Sequence, residues 1–233
     1  MAKKDKKTGR RSIVTYTKRG PRNISDKRKT LIKELLPSIE ITDKKKIKDP
    51  YSLFAKGTRE IWLEIGFGGG EHLAEQARKH PNIGFIGCEV FAKGVSSLLR
   101  HVDEYKLKNI RIFQDDALVL LENLPNDCLD RIFILFPDPW PKTKHHKRRM
   151  INHQNLNLIA RKLKAGGLLR IATDHMEYLR WMMIKMLERE DYTWLARRPV
   201  DWNSPSKDHF TTRYEEKLKT GKPPIFLNYF LKN

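Results

Sequence analysis

The sequence predicts an α/β fold, a doubly wound and mostly parallel sheet with helices on both faces. Three observations predict it. Short β-type runs alternate with helix-type runs from Glu60 onward. One run, Arg131-Ile132-Phe133-Ile134-Leu135-Phe136, is almost continuously apolar, as a strand buried on both faces must be. A glycine-rich turn follows the first strand directly.

Residues 1–29 hold twelve Lys/Arg and two Asp/Glu with few apolar positions, which predicts a basic tail that is disordered when free. Residues 30–233 are expected to form one domain. It opens with a short helix over Thr30–Leu36 and a connector. The strands are then Ile61–Ile65, Gly84–Cys88, Ile110–Phe113, the 131–136 run and Leu168–Ala172. Between them, Val95, Leu98, Leu99 and Val102 fall at helical spacing, and Leu156, Ile159, Ala160 and Leu163 repeat it before Gly166-Gly167 stops the helix. Leu179, Met183 and Met186 mark a further helical face, with Trp181 near its middle.

Of the 233 residues, 39% are apolar, enough for a sizeable core, and no run approaches the ~20 apolar residues of a membrane span. The start, Met-Ala-Lys-Lys-Asp-Lys-Lys, lacks the apolar stretch of a secretory signal, so a cytoplasmic protein is expected. Cys88 and Cys128 lie in apolar runs outside any CxxC spacing, and the His145-His146 pair has no third ligand at a useful spacing. No disulfide and no metal are expected. The net charge of +19 favours capture of a polyanion. Nucleic acid is the expected partner, and a membrane is not, because no strongly amphipathic basic helix is present.

In a doubly wound sheet, ligands bind outside the carboxyl ends of the strands. The first strand runs into Glu64-Ile65-Gly66-Phe67-Gly68-Gly69-Gly70-Glu71. Glycines at 66, 68 and 70 allow a tight turn and close approach to a ligand. The dinucleotide fingerprint needs glycine at 71, where Glu71 stands and would repel a pyrophosphate. A ligand with a cationic centre and no phosphate, such as a sulfonium, suits the turn better. Glu89 closes the second strand, placed to accept the ribose hydroxyls of an adenosine. Asp115-Asp116 closes the third, where a carboxylate can accept from an adenine amino group. Polar strand ends can simply face water; three in register beside the glycine turn point to an adenosyl site.

The fourth strand ends in Phe136-Pro137-Asp138-Pro139-Trp140-Pro141-Lys142. Two prolines hold Asp138 in rigid, extended backbone, and Trp140 offers a face on which a base can stack. The next residues, Lys142-Thr143-Lys144-His145-His146-Lys147-Arg148-Arg149, read as a phosphate-binding strip. Asp174 ends the fifth strand on the same rim, either holding the base or capping the helix that follows. Thr211–Lys217 is, on its own residues, a surface helix or hairpin edge.

Together these residues resemble the bacterial tRNA (guanine-N7-)-methyltransferase family over roughly residues 55–233. The resembling motifs are Leu63–Gly70, Gly87-Cys88-Glu89-Val90, Asp116-Ala117, Phe136–Lys142, Lys147-Arg148-Arg149, Thr173-Asp174 and Thr212-Arg213-Tyr214-Glu215. The Phe-Pro-Asp-Pro-Trp run followed by Lys-Arg-Arg is the specific part; the glycine turn is shared by many methyltransferases. The resemblance implies a class I methyltransferase (Rossmann-like) fold and S-adenosyl-L-methionine as methyl donor. It implies cofactor contacts at Glu64, Gly66, Gly68, Gly70, Glu89, Asp116 and Asp138, with Asp138 also catalytic. Substrate contacts would fall on Lys142, Asp174, Thr212, Arg213, Tyr214 and Glu215; the RNA-backbone contacts expected at Lys144, Lys147, Arg148 and Arg149 come from the cationic strip itself. The target would be a guanosine in the tRNA variable loop. The family often carries Lys-Phe where this chain has Arg213-Tyr214, a change that keeps charge type and aromaticity. Two rivals remain: an RNA methyltransferase acting on an exocyclic amine, whose strand end carries a polar-Pro-Pro-aromatic run, and a non-catalytic basic RNA-binding protein. Trp140 after Pro139 disfavours the first, and the glycine turn with Glu64 and Glu89 disfavours the second.

Overall fold

A computed structural model of the chain describes residues 25–42, 47–217 and 221–232. The first elements are helices α1 (Asp26–Glu34) and α2 (Leu36–Ile39) and a 3₁₀ turn at Pro50–Leu53. The alternating core follows: β1 (Glu60–Ile65), α3 (Glu71–Lys79), β2 (Ile83–Cys88), α4 (Ala92–Tyr105), β3 (Ile110–Phe113), α5 (Ala117–Asn123) and β4 (Leu129–Leu135). A 3₁₀ turn at Thr143–Arg148 leads to α6 (His153–Lys162), β5 (Leu163–Thr173) and α7 (Met176–Leu187). The chain ends with β6 (Tyr192–Trp194), α8 (Val200–Asn203), α9 (Arg213–Glu216) and β7 (Ile225–Leu231).

The strands form one sheet in the order β3-β2-β1-β4-β5-β7-β6. β1 to β5 pair in parallel, and β7 runs antiparallel between β5 and β6. The continuously apolar run is the central strand β4, as its lack of alternation requires. Alternate side chains feed two cores. Ile61, Leu63 and Ile65 with Ile132 and Ile134 meet the layer containing Leu120, Leu156 and Tyr178. Trp62, Phe85 and Phe133 meet the layer containing Leu73, Leu98 and Leu99. The chain order reverses between β1 and β4, which puts the switch point, and hence the expected crevice, at their carboxyl ends.

Four sequence expectations need adjustment. Most of the 1–29 tail lies outside the described residues, but Asp26–Lys29 already form the start of α1, so the helix placed at Thr30–Leu36 begins earlier. Leu163 does not continue α6. It is extended (φ −77°, ψ 136°) and pairs with Leu129, so the helix ends ahead of the glycines. On α7 the fully buried positions are Tyr178, Met182 and Met186, with Leu179 and Met183 packed at the margin. Finally β6 and β7, absent from the sequence reading, extend the sheet beyond β5.

Candidate active site

The glycine turn adopts the backbone its residues predict. Gly66, Gly68 and Gly70 have φ of 74°, 55° and 80°, the left-handed region that only glycine enters without strain. A Cβ built on Gly66 or Gly68 meets nothing within 4 Å, so the turn faces open space. At Gly70 it would sit 2.8 Å from Leu98 Cβ, which shows how closely α4 packs on the start of α3.

The carboxylates gather around this turn. Glu89 Oε2 accepts from the Gly68 N–H at 3.0 Å and Oε1 from the Phe91 N–H at 2.9 Å. Burial pushes its carboxyl above the usual range despite those bonds, and the charge of Asp138 adds to the rise. Asp116 Oδ1 caps α5 through the Leu118 N–H at 3.0 Å, and Asp115 accepts from the Asp116 N–H. Burial, then Asp116, Glu89 and Asp115, raises the Cys88 thiol well above its usual range. Glu64 is buried at the end of β1, with Oε2 2.7 Å from His72 Nδ1. These residues fit an adenosyl ligand: a turn with open space before it, flanked by acceptors held by backbone.

The reacting side is built on a strained loop. Phe136 and Trp140 have φ of 51° and 43°, unusual for bulky residues and held only because the surroundings impose them. The exposed Asp138 lies between them. It lies near enough to Glu89, Tyr178 and Tyr214 for its charge to raise that carboxyl and both hydroxyls, after burial. Tyr214 donates to Asp174 at 3.3 Å and packs on Phe136, ring centroids 5.1 Å apart. Asp174 is buried at the end of β5, and the cap of α7 is made by His175, not Asp174. The crevice thus brings together Glu89, Asp138, Asp174 and Tyr214 from distant parts of the chain.

The cationic strip divides. Lys142, Lys144 and Lys147 are exposed, as a phosphate-binding strip requires. Arg148 lies over Trp140, 4.9 Å from the ring centroid, and His145 meets the same ring edge-on. The expectation for Arg149 is corrected: it is 1% exposed, too deep to meet an RNA backbone. Its Nε donates to the Pro139 carbonyl at 2.9 Å and another nitrogen to Glu177 at 2.7 Å, while Tyr178 and Trp181 wall it in. The C-terminal motif divides too. Thr212 and Glu215 form a reciprocal capping box on α9, and Glu215 also accepts from His209 at 2.8 Å. Glu215 is thus held by α9 and His209, whereas Tyr214 lies in the crevice and Arg213 is exposed beside Glu71.

Three contributors escaped the sequence reading. Gly94 lets α4 pass the glycine turn, since a Cβ there would lie 2.4 Å from the Gly68 carbonyl oxygen and 2.9 Å from Glu89 Cγ. The side chains of His72 and His209 are each 1% exposed, and their sequence surroundings carry no periodic or motif signal. A cleft of about 780 Å³ lies at the opposite, amino ends of β1, β4 and β5. Its lining carries more cations than carboxylates, and Asp130 is paired with Lys164 at 2.7 Å, so it lacks the crevice's acidic rim. Among the described residues no cluster of metal-ligating side chains occurs, and no helix is long and apolar enough to cross a membrane.

Strand order, glycine turn and acidic strand ends define the class I methyltransferase (Rossmann-like) fold. Solved structures with this fold include an rRNA methylase from Streptococcus thermophilus (TM-score 0.52, 12% identity, 76% of this chain and 89% of that one). The 16S rRNA methyltransferase KamB is comparable (TM-score 0.51, 13% identity, 77% and 95%). A family model described as "Putative methyltransferase" matches residues 58–227. The tRNA (guanine-N(7)-)-methyltransferase of Zymomonas mobilis is 47% identical over 88% of this chain and 87% of its own length. That of Rhodospirillum rubrum is 42% identical over 91% and 85%. The chain belongs to the tRNA (guanine-N7-)-methyltransferase family, and S-adenosyl-L-methionine is its methyl donor.

Proposed function

We propose that the chain methylates N7 of a guanosine in the variable loop of cytoplasmic tRNA, within the crevice between the glycine turn and the Pro137-Asp138-Pro139 loop. The relatives' named activity supports the base and atom. The observation that carries the site is the grouping of Asp138, Asp174 and Tyr214 opposite Glu89 at the switch point.

S-adenosylmethionine supplies an electrophilic methyl group when bound. The chain's own work is to hold the purine. Guanine N7 has an in-plane lone pair and carries no proton at neutral pH, so no side chain needs to act as a base. What develops is positive charge on the base. Asp138 and Asp174 favour that charge, and a fixed carboxylate helps more as it grows. Asp138 is the catalytic residue in this reading and also borders the cofactor. Asp174, held by Tyr214, accepts from guanine N–H groups. Glu89 accepts the ribose hydroxyls, Asp116 lies toward the adenine, and Glu64 with the turn at Gly66, Gly68 and Gly70 borders the methionyl part. Lys142, Lys144, Lys147 and Arg148 meet RNA phosphates, with Arg213 at the crevice's far rim.

Incubation with labelled S-adenosylmethionine and unmodified tRNA, followed by nucleoside analysis, tests the reading. The expected product is 7-methylguanosine, and mapping places it in the variable loop. An N-methylated exocyclic amine would replace this reading with the rival one, and absence of any product would leave a binding protein.

A further inference from the structure

Behind the crevice lies a polar cord of which only the first member, Glu64, has a part in the proposed reaction. It starts at Glu64, on the carboxyl end of β1. His72 Nδ1 meets Glu64 Oε2 at 2.7 Å, with both side chains almost wholly buried. The Gln76 amide nitrogen reaches His72 Nε2 at 3.3 Å and also donates to the main-chain carbonyl of Asp208. An amide nitrogen only donates, so His72 Nε2 accepts and Nδ1 donates to Glu64.

The next residue, His209, places its ring 5.3 Å from that of His72 and 4.9 Å from Phe226 of β7. Its Nε2 donates to Glu215 Oε1 at 2.8 Å, and Glu215 Oε2 accepts from the Thr212 N–H at 2.7 Å. Tyr214, between those two residues, is the one whose hydroxyl reaches Asp174. The Asp208–Glu215 segment contains no regular element longer than the single turn α9. A turn this short does not hold itself, so its position must come from tertiary bonds. Arg170, on β5, adds one by pairing with Asp208 at 2.9 Å.

We propose that His72 and His209 are positioning residues that tie the base-recognition segment to the end of the cofactor strand. The cord runs Glu64, His72, Gln76, Asp208 carbonyl, then His209, Glu215 and Thr212. It sets the placement of Tyr214 against Asp174, and so the alignment of the purine with the cofactor side. This rests on the reading of Tyr214 and Asp174 as base-holding residues.

The test compares His209→Leu with His209→Gln. Leucine removes the donor to Glu215; glutamine restores an N–H donor at nearly the same reach. His209→Leu is expected to lower kcat/KM for tRNA about tenfold, since a buried bond to a carboxylate is lost. His209→Gln recovers most of that loss, and S-adenosylmethionine affinity by calorimetry stays within about twofold in both. Gln76→Leu is expected to repeat the His209→Leu pattern from the other end of the cord. Unchanged kcat/KM in His209→Leu overturns the proposal. Equal losses in both His209 variants, with cofactor affinity and thermal midpoint falling in step, overturn it too, because the histidine then serves folding alone. If the unmodified chain makes no 7-methylguanosine, the functional reading fails instead, a result read before any variant is compared.

Discussion

Arg149 Nε lies 2.9 Å from the Pro139 carbonyl oxygen, so a buried guanidinium grips the loop one residue beyond Asp138. The loop is flanked by two left-handed, non-glycine residues, Phe136 and Trp140, which would relax without that grip. Arg149→Met is therefore expected to lower kcat, with loss of alignment costing up to about a hundredfold. The salt dependence of tRNA binding should keep its slope. A flattened slope in this variant would return Arg149 to the RNA-binding strip.

Asp138 stands at the junction of the two half-sites, acting on Glu89 and Tyr214 alike. Asp138→Asn keeps hydrogen-bond acceptance and removes the charge, whereas Asp138→Ala removes both. Loss of a fixed charge-stabilising group costs about 10²–10³ in kcat in comparable sites. Both variants are expected in that range, with alanine the lower. Near-normal turnover of Asp138→Ala at saturating tRNA would exclude the role.

Lys142, Lys144 and Lys147 project from one exposed turn, and Arg148 lies on Trp140. Taking one cation away from an RNA phosphate should reduce the slope of log K against log salt by about 0.7–0.9. The triple Lys→Ala variant is expected to bind tRNA more weakly with a slope lower by about 2–3, while cofactor affinity is unchanged. A variant that loses cofactor binding would show that the strip belongs to the other half-site.

Glu89 is held by two backbone N–H groups, yet burial leaves its carboxyl raised. The folded chain then holds this proton more tightly than the unfolded chain does. The corresponding stability is present at low pH and falls as pH rises from the ordinary glutamate range through the raised folded value. Cofactor affinity should move the other way, because ribose hydroxyls need the ionised acceptor. Calorimetry from acid to neutral pH should show affinity rising, with the change centred above the ordinary glutamate value. Glu89→Gln should flatten the profile; an unaltered profile in that variant assigns the dependence elsewhere.

The parallel half of the sheet was readable because each strand is a short apolar run ending at a polar residue, and β4 carries no alternation at all. Leu163 shows where that signal stops. It continues the helical spacing of Leu156 and Ile159, yet pairs with Leu129, since a residue buried in either state looks the same in sequence. The crevice carboxylates were readable from their places at strand ends. Arg149 was not, because in the run from Lys142 it is chemically identical to its neighbours and only tertiary packing buries it. Thr212 and Glu215 carried a local signal, the Ser/Thr-x-x-Glu spacing of a capping box, and the box is formed in the structure. His72 and His209 had none, because their partners are distant in the chain.

Gly94 offers the sharpest test of how the cofactor half is assembled. It lies in the first turn of α4, where Glu89 has just been fixed by the Phe91 N–H. A methyl group there would lie 2.4 Å from the Gly68 carbonyl oxygen, a backbone atom in a turn whose φ values leave it little freedom. The methyl would also press on Glu89 Cγ, so relief requires α4, the turn or the carboxylate to move. Motion of the turn or the carboxylate displaces a group assigned to the cofactor directly, motion of α4 does so through the Phe91 N–H that holds Glu89, and none touches Tyr214, Asp174 or the lysine strip. Gly94→Ala is therefore expected to weaken S-adenosylmethionine binding about tenfold or more by calorimetry while tRNA binding in the absence of cofactor stays the same. If cofactor affinity survives and tRNA binding falls, the glycine turn and Glu89 do not form the cofactor half of the crevice.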